Sequence, residues 1–501
     1  MNYNKISKFF LYGALGVFSF GACTDLEVEE IDSIPVVATS GGNTVNVGDL
    51  LISAYKDLGA FTDQNNIYAL FDHTSDEMIP PTRGVDWGDN GVWRTLHQHT
   101  WDPTHPAVLG AWNQLNQRAF KCNQILAANP APNPQQAAEA KFLRAFYRFH
   151  VMDLFGQVPD RGVNEGVDVN PKVYTRSEAF DLIVKDLTEA LPALPATGPK
   201  AQNSAATQAA ANALLARLYL NKAVYKSARP EGPYTFDAAD MDKVIQYSDA
   251  VTAAGYSLET SYFKNFSTAA SSEVIFTSLE GTPQNRWMMT LHYSQNPSGW
   301  NGFTTLAEFY DKFEANDQRK GNYPTPDGSN FSGIARGFLE GQQLKDDGSI
   351  LTDTRTQKPL KFTRDVPLAG AGTDKGIRVI KYHPADAGQY ILLRYADVYL
   401  MKAEALLRKN NAAGALVEVN ALRVIRSASP LVLASFNEAS MLDERGRELY
   451  WEGIRRIDQV RFGTFDDTWS FKTVTEATRV LFPVPQQALD SNPNLSQNAG
   501  Y

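Results

Sequence analysis

The chain has 501 residues, 43% of them hydrophobic, which is enough to bury a large core and long enough for roughly two to four domains' worth of material. Its 47 Lys and Arg against 56 Asp and Glu leave a net charge of −9, and nothing basic is clustered. That excludes a nucleic-acid partner, whose phosphates call for a basic footprint.

In chain order, Lys5 and Lys8 precede an apolar run from Phe9 to Phe20. The run fits a secretory signal and is too short for the ~20 apolar residues of a spanning helix. It ends in Phe20-Gly21-Ala22-Cys23, which resembles the lipobox of bacterial lipoproteins. The resemblance implies cleavage before Cys23 and acylation of its thiol and new amine, so residues 1–22 form the signal and Cys23 the lipid anchor. Residues 23–48 are acidic at Asp25, Glu27, Glu29 and Glu30 and then rich in Ser, Gly and Thr, as expected of a flexible tether. The acidic run resembles the surface-export tag of some Gram-negative lipoproteins. Once Cys23 is acylated, Cys122 has no disulfide partner, and its helical setting predicts a core residue.

The 49–58 stretch carries an apolar helical pattern, whereas 61–93 shows few regular repeats and many aromatic, amide and acidic side chains. Residues 107–128 are helical again. In the next helix Asn133 is placed to cap, Pro134 suits the first turn, Ala138, Phe142, Ala145, Phe146, Phe149 and Met152 share one face, and Gly156 and Pro159 stop it. Further helices are predicted over 177–194, 205–225 and 240–254. Between 256 and 388 short β-prone runs such as 273–277 and 376–382 alternate with Gly-, Pro-, Asn- and Asp-rich loops. Residues 391–426 read as a helical hairpin: Leu392, Tyr395, Val398, Tyr399, Ala403 and Leu406 form one apolar face, and Ala415, Leu416, Val419, Leu422 and Ile425 form another after a polar break at 409–411. Its small residues suit the close packing of a tetratricopeptide-type unit, which is stable only when stacked on neighbours. A last helix is predicted over 441–462, ended by Gly463. The pattern predicts a mainly α fold of tetratricopeptide-like hairpins. The scaffold comprises 49–60, 107–255 and 390–463, with an inserted irregular lobe of loops and short strands over 61–106 and 256–389, all in one domain from 49 to 501.

Four blocks, AEAKFLRAFYRFHVMDLFGQVP (138–159), LLRYADVYLMKAEALLR (392–408), LDERGRELYWEGIRRIDQVRFG (442–463) and LFPVPQQALDSNPNLSQNAGY (481–501), together with the lipobox, are similar to the signature blocks of the SusD/RagB-like nutrient-binding lipoproteins of bacterial outer membranes. The resemblance implies the SusD-like fold, lipid anchorage at the outer membrane facing the cell exterior, a SusC-like TonB-dependent transporter as partner, and no catalysis. The charged residues of these blocks, Arg144, Arg148, Glu444, Arg447, Glu448, Arg455 and Asp458, are at spacings that favour ion pairs, and are read as a solvated or bundle-bridging network.

Sugars are recognised by flat aromatic faces and by planar carboxylate, amide or guanidinium groups that pair with adjacent hydroxyls, best placed on loops held by a rigid frame. Two stretches hold this mixture: 60–93, with Asp63, Asn65, Asp76, Arg83, Asp86, Trp87, Asp89 and Trp93, and 288–313, with Tyr293, Asn296, Trp300 and Asn301. Asp86-Trp87 and Trp300-Asn301 each put a stacking ring beside a hydrogen-bonding group. The expected ligand contacts are Asp63, Asn65, Asp86, Trp87, Asp89, Trp300, Asn301 and Arg378, with Arg364 and Tyr390 as weaker additions. The expected ligand is an oligosaccharide or polysaccharide. A peptide-binding lid on the same kind of transporter is one alternative, and a surface glycoside hydrolase with two carboxyl groups flanking the bond is another. His97 and His99 alternate on one strand face with His105 nearby, but no Cys or Glu completes a metal set. No phosphate-cradling or nucleotide fingerprint is present, so no cofactor or metal is expected.

Overall fold

The computed structural model describes residues 37–39, 42–166, 168–324 and 331–501; the export signal and Cys23 lie outside them. Its helices are α1 (Val47–Lys56), α2 (Asn66–Asp72), α3 (Val92–His97), α4 (Pro106–Leu126), α5 (Pro134–Phe155), α6 (Arg176–Ala190), α7 (Gln208–Leu220), α8 (Lys222–Tyr225), α9 (Ala238–Ala253), α10 (Ala307–Tyr310), α11 (Tyr395–Arg408), α12 (Ala412–Ile425), α13 (Glu438–Leu449), α14 (Arg455–Phe462) and α15 (Gln486–Ser491). The strands are short and antiparallel. β1 (Val37–Thr39) pairs with β2 (Gly42–Thr44), β3 (Gln157–Asp160) with β4 (Lys172–Thr175), and β8 (Gly341–Gln342) with β9 (Lys361–Phe362). β7 (Ala335–Leu339) lies between β6 (Gly321–Pro324) and β10 (Arg378–Ile380), and β5 (Val274–Ser278) pairs with β11 (Tyr390–Arg394). The first helix begins at Val47, so the tether boundary drawn at 48 falls inside it, after a short hairpin. No helix of the described residues is long and apolar enough to cross a membrane.

The helical half is a stack of antiparallel hairpins. α5 packs between α4 and α6, α9 between α7 and α11, and α12 against α11. α5 sets the frame because its ends are chemically fixed. The Asn133 side chain accepts the Gln136 N–H at 2.9 Å while the Gln136 side chain accepts the Asn133 N–H at 3.0 Å, a reciprocal capping box. At the other end Gly156 takes a left-handed φ of 70°, and a Cβ there would meet Leu481 at 2.9 Å. Leu481 belongs to the C-terminal tail, which runs back along this end of α5: Phe482 N–H donates to Leu154 O at 2.8 Å, and the Trp101 indole donates to the Tyr501 hydroxyl at 2.6 Å. Cys122 is buried and free, its thiol pushed up to about 12 by burial.

The structure departs from the sequence reading in four places. Residues 391–394, placed at the head of a helix, belong to β11, where Leu392 is partly buried against the core, and α11 starts at Tyr395. The single helix predicted over 441–462 is broken between Leu449 and Arg455, where Trp451 and Gly453 take φ of 55° and 71°. The break is held from α2 and the turn after it: Glu77 Oε1 accepts the Trp451 N–H at 2.9 Å and Asp72 Oδ1 the Gly453 N–H at 3.2 Å, replacing the acceptors of a continuous helix. Residues 61–106 are not wholly irregular, since α2 and α3 lie within them. His97 and His99 lie on no strand: His97 ends α3 and bonds Met78 O and Ser470 O, and buried His99 bonds Thr74 O.

A buried ionic seam joins the helical half to the loop-and-strand half. Arg394, entering α11, donates to Glu273 at 2.8 Å, Glu448 at 2.9 Å and Glu452 at 2.7 Å. Arg426, ending α12, pairs with Glu273 and Glu448, and Arg319 pairs with Asp317, Glu444 and Glu448. None of Arg319, Arg426, Glu273, Glu444 and Glu448 has measurable solvent exposure. The network is bridging and enclosed, with each charge taken from water only because several opposite charges surround it.

Candidate functional site

Two loops meet where the backbone bridge between Ile79 and Thr304 fastens them, with Ile79 N–H to Thr304 O at 2.8 Å and Thr304 N–H to Ile79 O at 3.0 Å. From there the first loop turns tightly. Arg83 and Asp86 exchange backbone hydrogen bonds at 3.0 and 3.1 Å around Gly84, which has a φ of 63°. The next residue, Trp87, is held at φ 60°, a region that bulky residues rarely occupy, and strain of this kind is stored where surrounding contacts over-determine it. Those contacts are visible. The Trp87 indole donates to Trp300 O at 3.0 Å, and its ring lies 4.5 Å from Phe303 and 5.7 Å from Trp93 between centroids. A Cβ on Gly302 would sit 2.5 Å from Trp87 Cε2, so the absence of a side chain at 302 makes room for the indole.

Trp300, 6.2 Å from Trp87 and tilted by 46°, is likewise only half-buried. Beside this pair the Tyr293 hydroxyl donates to Asp86 Oδ2 at 2.7 Å. Arg355 covers the Tyr293 ring, its guanidinium 3.7 Å from the centroid, and reaches the same Asp86 oxygen at 3.3 Å. Arg355 is delivered by a strap whose Thr354 N–H donates to the Ser294 hydroxyl at 3.0 Å. The result is a surface with two indoles, a phenol and a shared carboxylate, all partly open to solvent. An aromatic face beside a carboxylate–guanidinium pair can stack a sugar ring and bond its hydroxyls.

Asp86, Trp87 and Trp300 are brought together. Asp89 is exposed nearby, accepting the Trp93 indole N–H at 2.5 Å, while Trp93 itself is buried. Asn301 and Arg378 meet each other at 2.7 Å but are fully enclosed. Asn301 donates to Thr373 O, and Arg378 donates to the carbonyls of Thr373, Lys375 and Gly376. Arg83 clamps the same loop through Gly372 O and Lys375 O. These three side chains are enclosed against the 372–376 loop, behind the aromatic surface and not on it. Asp63 and Asn65 stand apart: Asp63 Oδ1 accepts both the backbone and side-chain N–H of Asn65 at 2.9 Å, a local turn before α2 with no contact to Trp87, Tyr293 or Trp300 among the described residues. Arg364 pairs with Asp311 and Tyr390 is buried. Asp76, from the first stretch, is bound to Arg455. Tyr293 belonged to the second stretch but not to the expected contacts, and Arg355 carried no local signal, because a distant hydroxyl pair places it. Among the described residues no group of three or more His, Cys, Asp or Glu could hold a metal ion.

Comparisons with known proteins match two family models to this chain: the SusD family over residues 285–501 and "Starch-binding associating with outer membrane" over residues 41–220. The starch-binding protein SusD of Bacteroides thetaiotaomicron is 24% identical over the whole of both chains. Among solved structures, a SusD-like protein of Bacteroides fragilis superposes with a TM-score of 0.69 at 22% identity, covering 91% of this chain and 96% of the other. Surface glycan-binding protein A of Bacteroides thetaiotaomicron, in complex with laminarihexaose, superposes at 0.65 with 16% identity, covering 90% and 98%. The two superpositions show a shared fold.

Proposed function

The chain belongs to the SusD family, and we propose that it is a cell-surface glycan receptor that captures an oligosaccharide on the Trp87–Trp300–Tyr293 surface and delivers it to a SusC-like TonB-dependent transporter. Proteins of this family are non-catalytic binding proteins associated with the outer membrane. The observation that carries the ligand class is the strained, half-exposed Trp87, locked to Trp300 and flanked by the Tyr293–Asp86–Arg355 group. One relative is named for starch and one neighbour was solved with laminarihexaose, so α- and β-linked glucans head the ligands to be tested. Acylated Cys23 holds the receptor at the membrane, and the apolar outer face of α12 docks the transporter.

Titration calorimetry against panels of oligosaccharides and peptides tests the reading, with Trp87→Ala and Trp300→Ala beside the parent protein. Removing one stacking indole costs about 1.5–3 kcal/mol, roughly 10- to 150-fold in affinity. The expected result is binding of one glycan class, recovered unchanged afterwards and weakened in both variants. Binding of peptides alone would replace this reading with a peptide-capturing lid. Shortened products would make the protein a hydrolase.

A further inference from the structure

A cavity of about 300 Å³ lies between the 200–202 segment, the 267–271 loop and the β5–β11 ladder. Lys200, Gln202, Ser267, Thr268, Arg286 and Gln389 contribute to its wall, and no Asp or Glu lines it. Most guanidinium groups of this protein end on carboxylates, as in Arg144–Asp186, Arg217–Asp397 and Arg461–Glu404. Arg286 does not. Its Nη1 donates to Gly388 O at 2.8 Å and its Nη2 to Gly281 O at 3.3 Å, and its Nε has no acceptor among the described residues. Burial pulls this guanidinium below its ordinary value, and the groups that oppose the pull are the phenols of Tyr382 and Tyr390, not carboxylates. Arg83, Arg94, Arg118, Arg161, Arg176 and Arg378 also form no ion pair with a carboxylate among the described residues, but none of them lines this cavity. Lys200, Gln202 and Thr268 make no side-chain hydrogen bond among the described residues. A half-buried cation facing a cavity without a counter-charge is costly until an anion arrives.

We propose that this cavity is a second binding site that takes an acidic sugar unit, with its carboxylate or sulfate group on Arg286 and Lys200 and its hydroxyls on Gln202 and Thr268. Its volume is at the small end of ligand sites and suits about one sugar ring. Nη1 and Nη2 of Arg286 each give one N–H to a carbonyl and keep a second, and such planar donors match the paired oxygens of either anion. The site is separate from the aromatic surface, so a receptor with both would select glycans carrying acidic branches.

The test titrates the full-length protein in mild detergent, at low salt, with sodium glucuronate, glucose 6-sulfate and methyl glucoside. The expected result is that at least one anion binds tenfold or more tightly than methyl glucoside, that its affinity falls as salt is added, and that Arg286→Gln and Lys200→Glu each weaken it at least tenfold. Whichever anion binds identifies the carboxylate or the sulfate as the natural group. Lys200 is exposed, so Lys200→Glu reads the site without disturbing the fold, whereas Arg286→Gln also removes the bond to Gly388. Trp87→Ala is expected to leave this binding unchanged while weakening capture on the aromatic surface at least tenfold. Equal binding of the neutral sugar, anion binding that survives both substitutions, or anion binding lost with Trp87→Ala overturns the proposal, whereas the glucan reading stands or falls on the oligosaccharide titrations of the parent, Trp87→Ala and Trp300→Ala.

Discussion

At the scale of single residues, Gly302 and Asp72 do work that their side-chain chemistry alone does not announce. A methyl group at 302 would lie 2.5 Å from the Trp87 indole and 2.8 Å from Met289 O, and neither the strained indole nor the backbone can yield freely. Gly302→Ala is therefore expected to cost about 1–3 kcal/mol of overpacking and to displace Trp87, lowering glycan affinity about tenfold or more while the circular dichroism spectrum stays native; unchanged calorimetric affinity counts against the platform. Asp72 is fully buried with Glu77 as a charged neighbour, and burial drives both carboxyls upward. Each has a folded-state value above its unfolded one, so the pair contributes stability that is full below pH ~4 and is lost as pH rises through the folded-state values. Asp72→Asn keeps the shape and removes one titration. Its denaturation midpoint is expected to gain on the parent's as pH rises from 4 to 8; a constant difference across that range would contradict the pairing.

At the scale of elements, the ionic seam explains how irregular loops stay registered against helices. Glu448 on α13 is shared by Arg319, Arg394 and Arg426, and its carboxyl is held far below the usual range because these guanidinium groups outweigh the burial that would raise it. Breaking a buried pair from one side costs about 3–5 kcal/mol, so Glu448→Gln is expected to lower stability by that order in urea denaturation. Glu189→Gln, at the exposed Lys141 and Lys185 pairs, is expected to leave the midpoint in place. Equal effects from the two would mean that the seam is no stronger than a surface bridge. The same elements show what a sequence can disclose. α5 was legible because its cap, apolar period and stop signal are all local. The break between α13 and α14 was not, because the acceptors that open it, Glu77 and Asp72, lie more than 370 residues earlier. β11 read as helix because its apolar residues continue the spacing of α11, and only the partner strand β5 distinguishes them. On the aromatic surface, Asp86-Trp87 and Trp300 were legible as aromatic–polar pairs in turn-rich loops. That Asn301 and Arg378 are enclosed was not, because composition does not report that the 372–376 loop closes over them, and Arg355 is placed by a bond between Ser294 and Thr354.

At the scale of the whole molecule, the proposed delivery of a ligand to a transporter requires a docking face that is not the face for the glycan, and α12 offers a candidate. Its inner residues Ala415, Val419 and Leu422 pack on α11, yet Ala413, Val417, Ala421 and Val424 follow one another at helical spacing on the outside, with Val417 69% and Val424 64% exposed. Val432 and Leu433, in the segment after the helix, extend the apolar surface. A helix face with only water to meet carries charge at such positions, and contiguous exposed apolar residues mark interaction surfaces. Because these side chains are outside the core, Val417→Asp and Val424→Asp together are expected to leave thermal stability and glycan affinity unchanged. An interface core that excludes charge is expected to lose at least tenfold in transporter recovered when the tagged receptor is purified from native outer membranes. Cys23→Ala, which removes the proposed anchor and leaves α12 intact, separates the two contributions: its product should leave the membrane fraction when transporter is absent and remain partly bound when transporter is abundant. If the valine double variant recovers as much transporter as the parent, the α12 docking reading fails, and the glycan and anchor proposals are judged on their own tests.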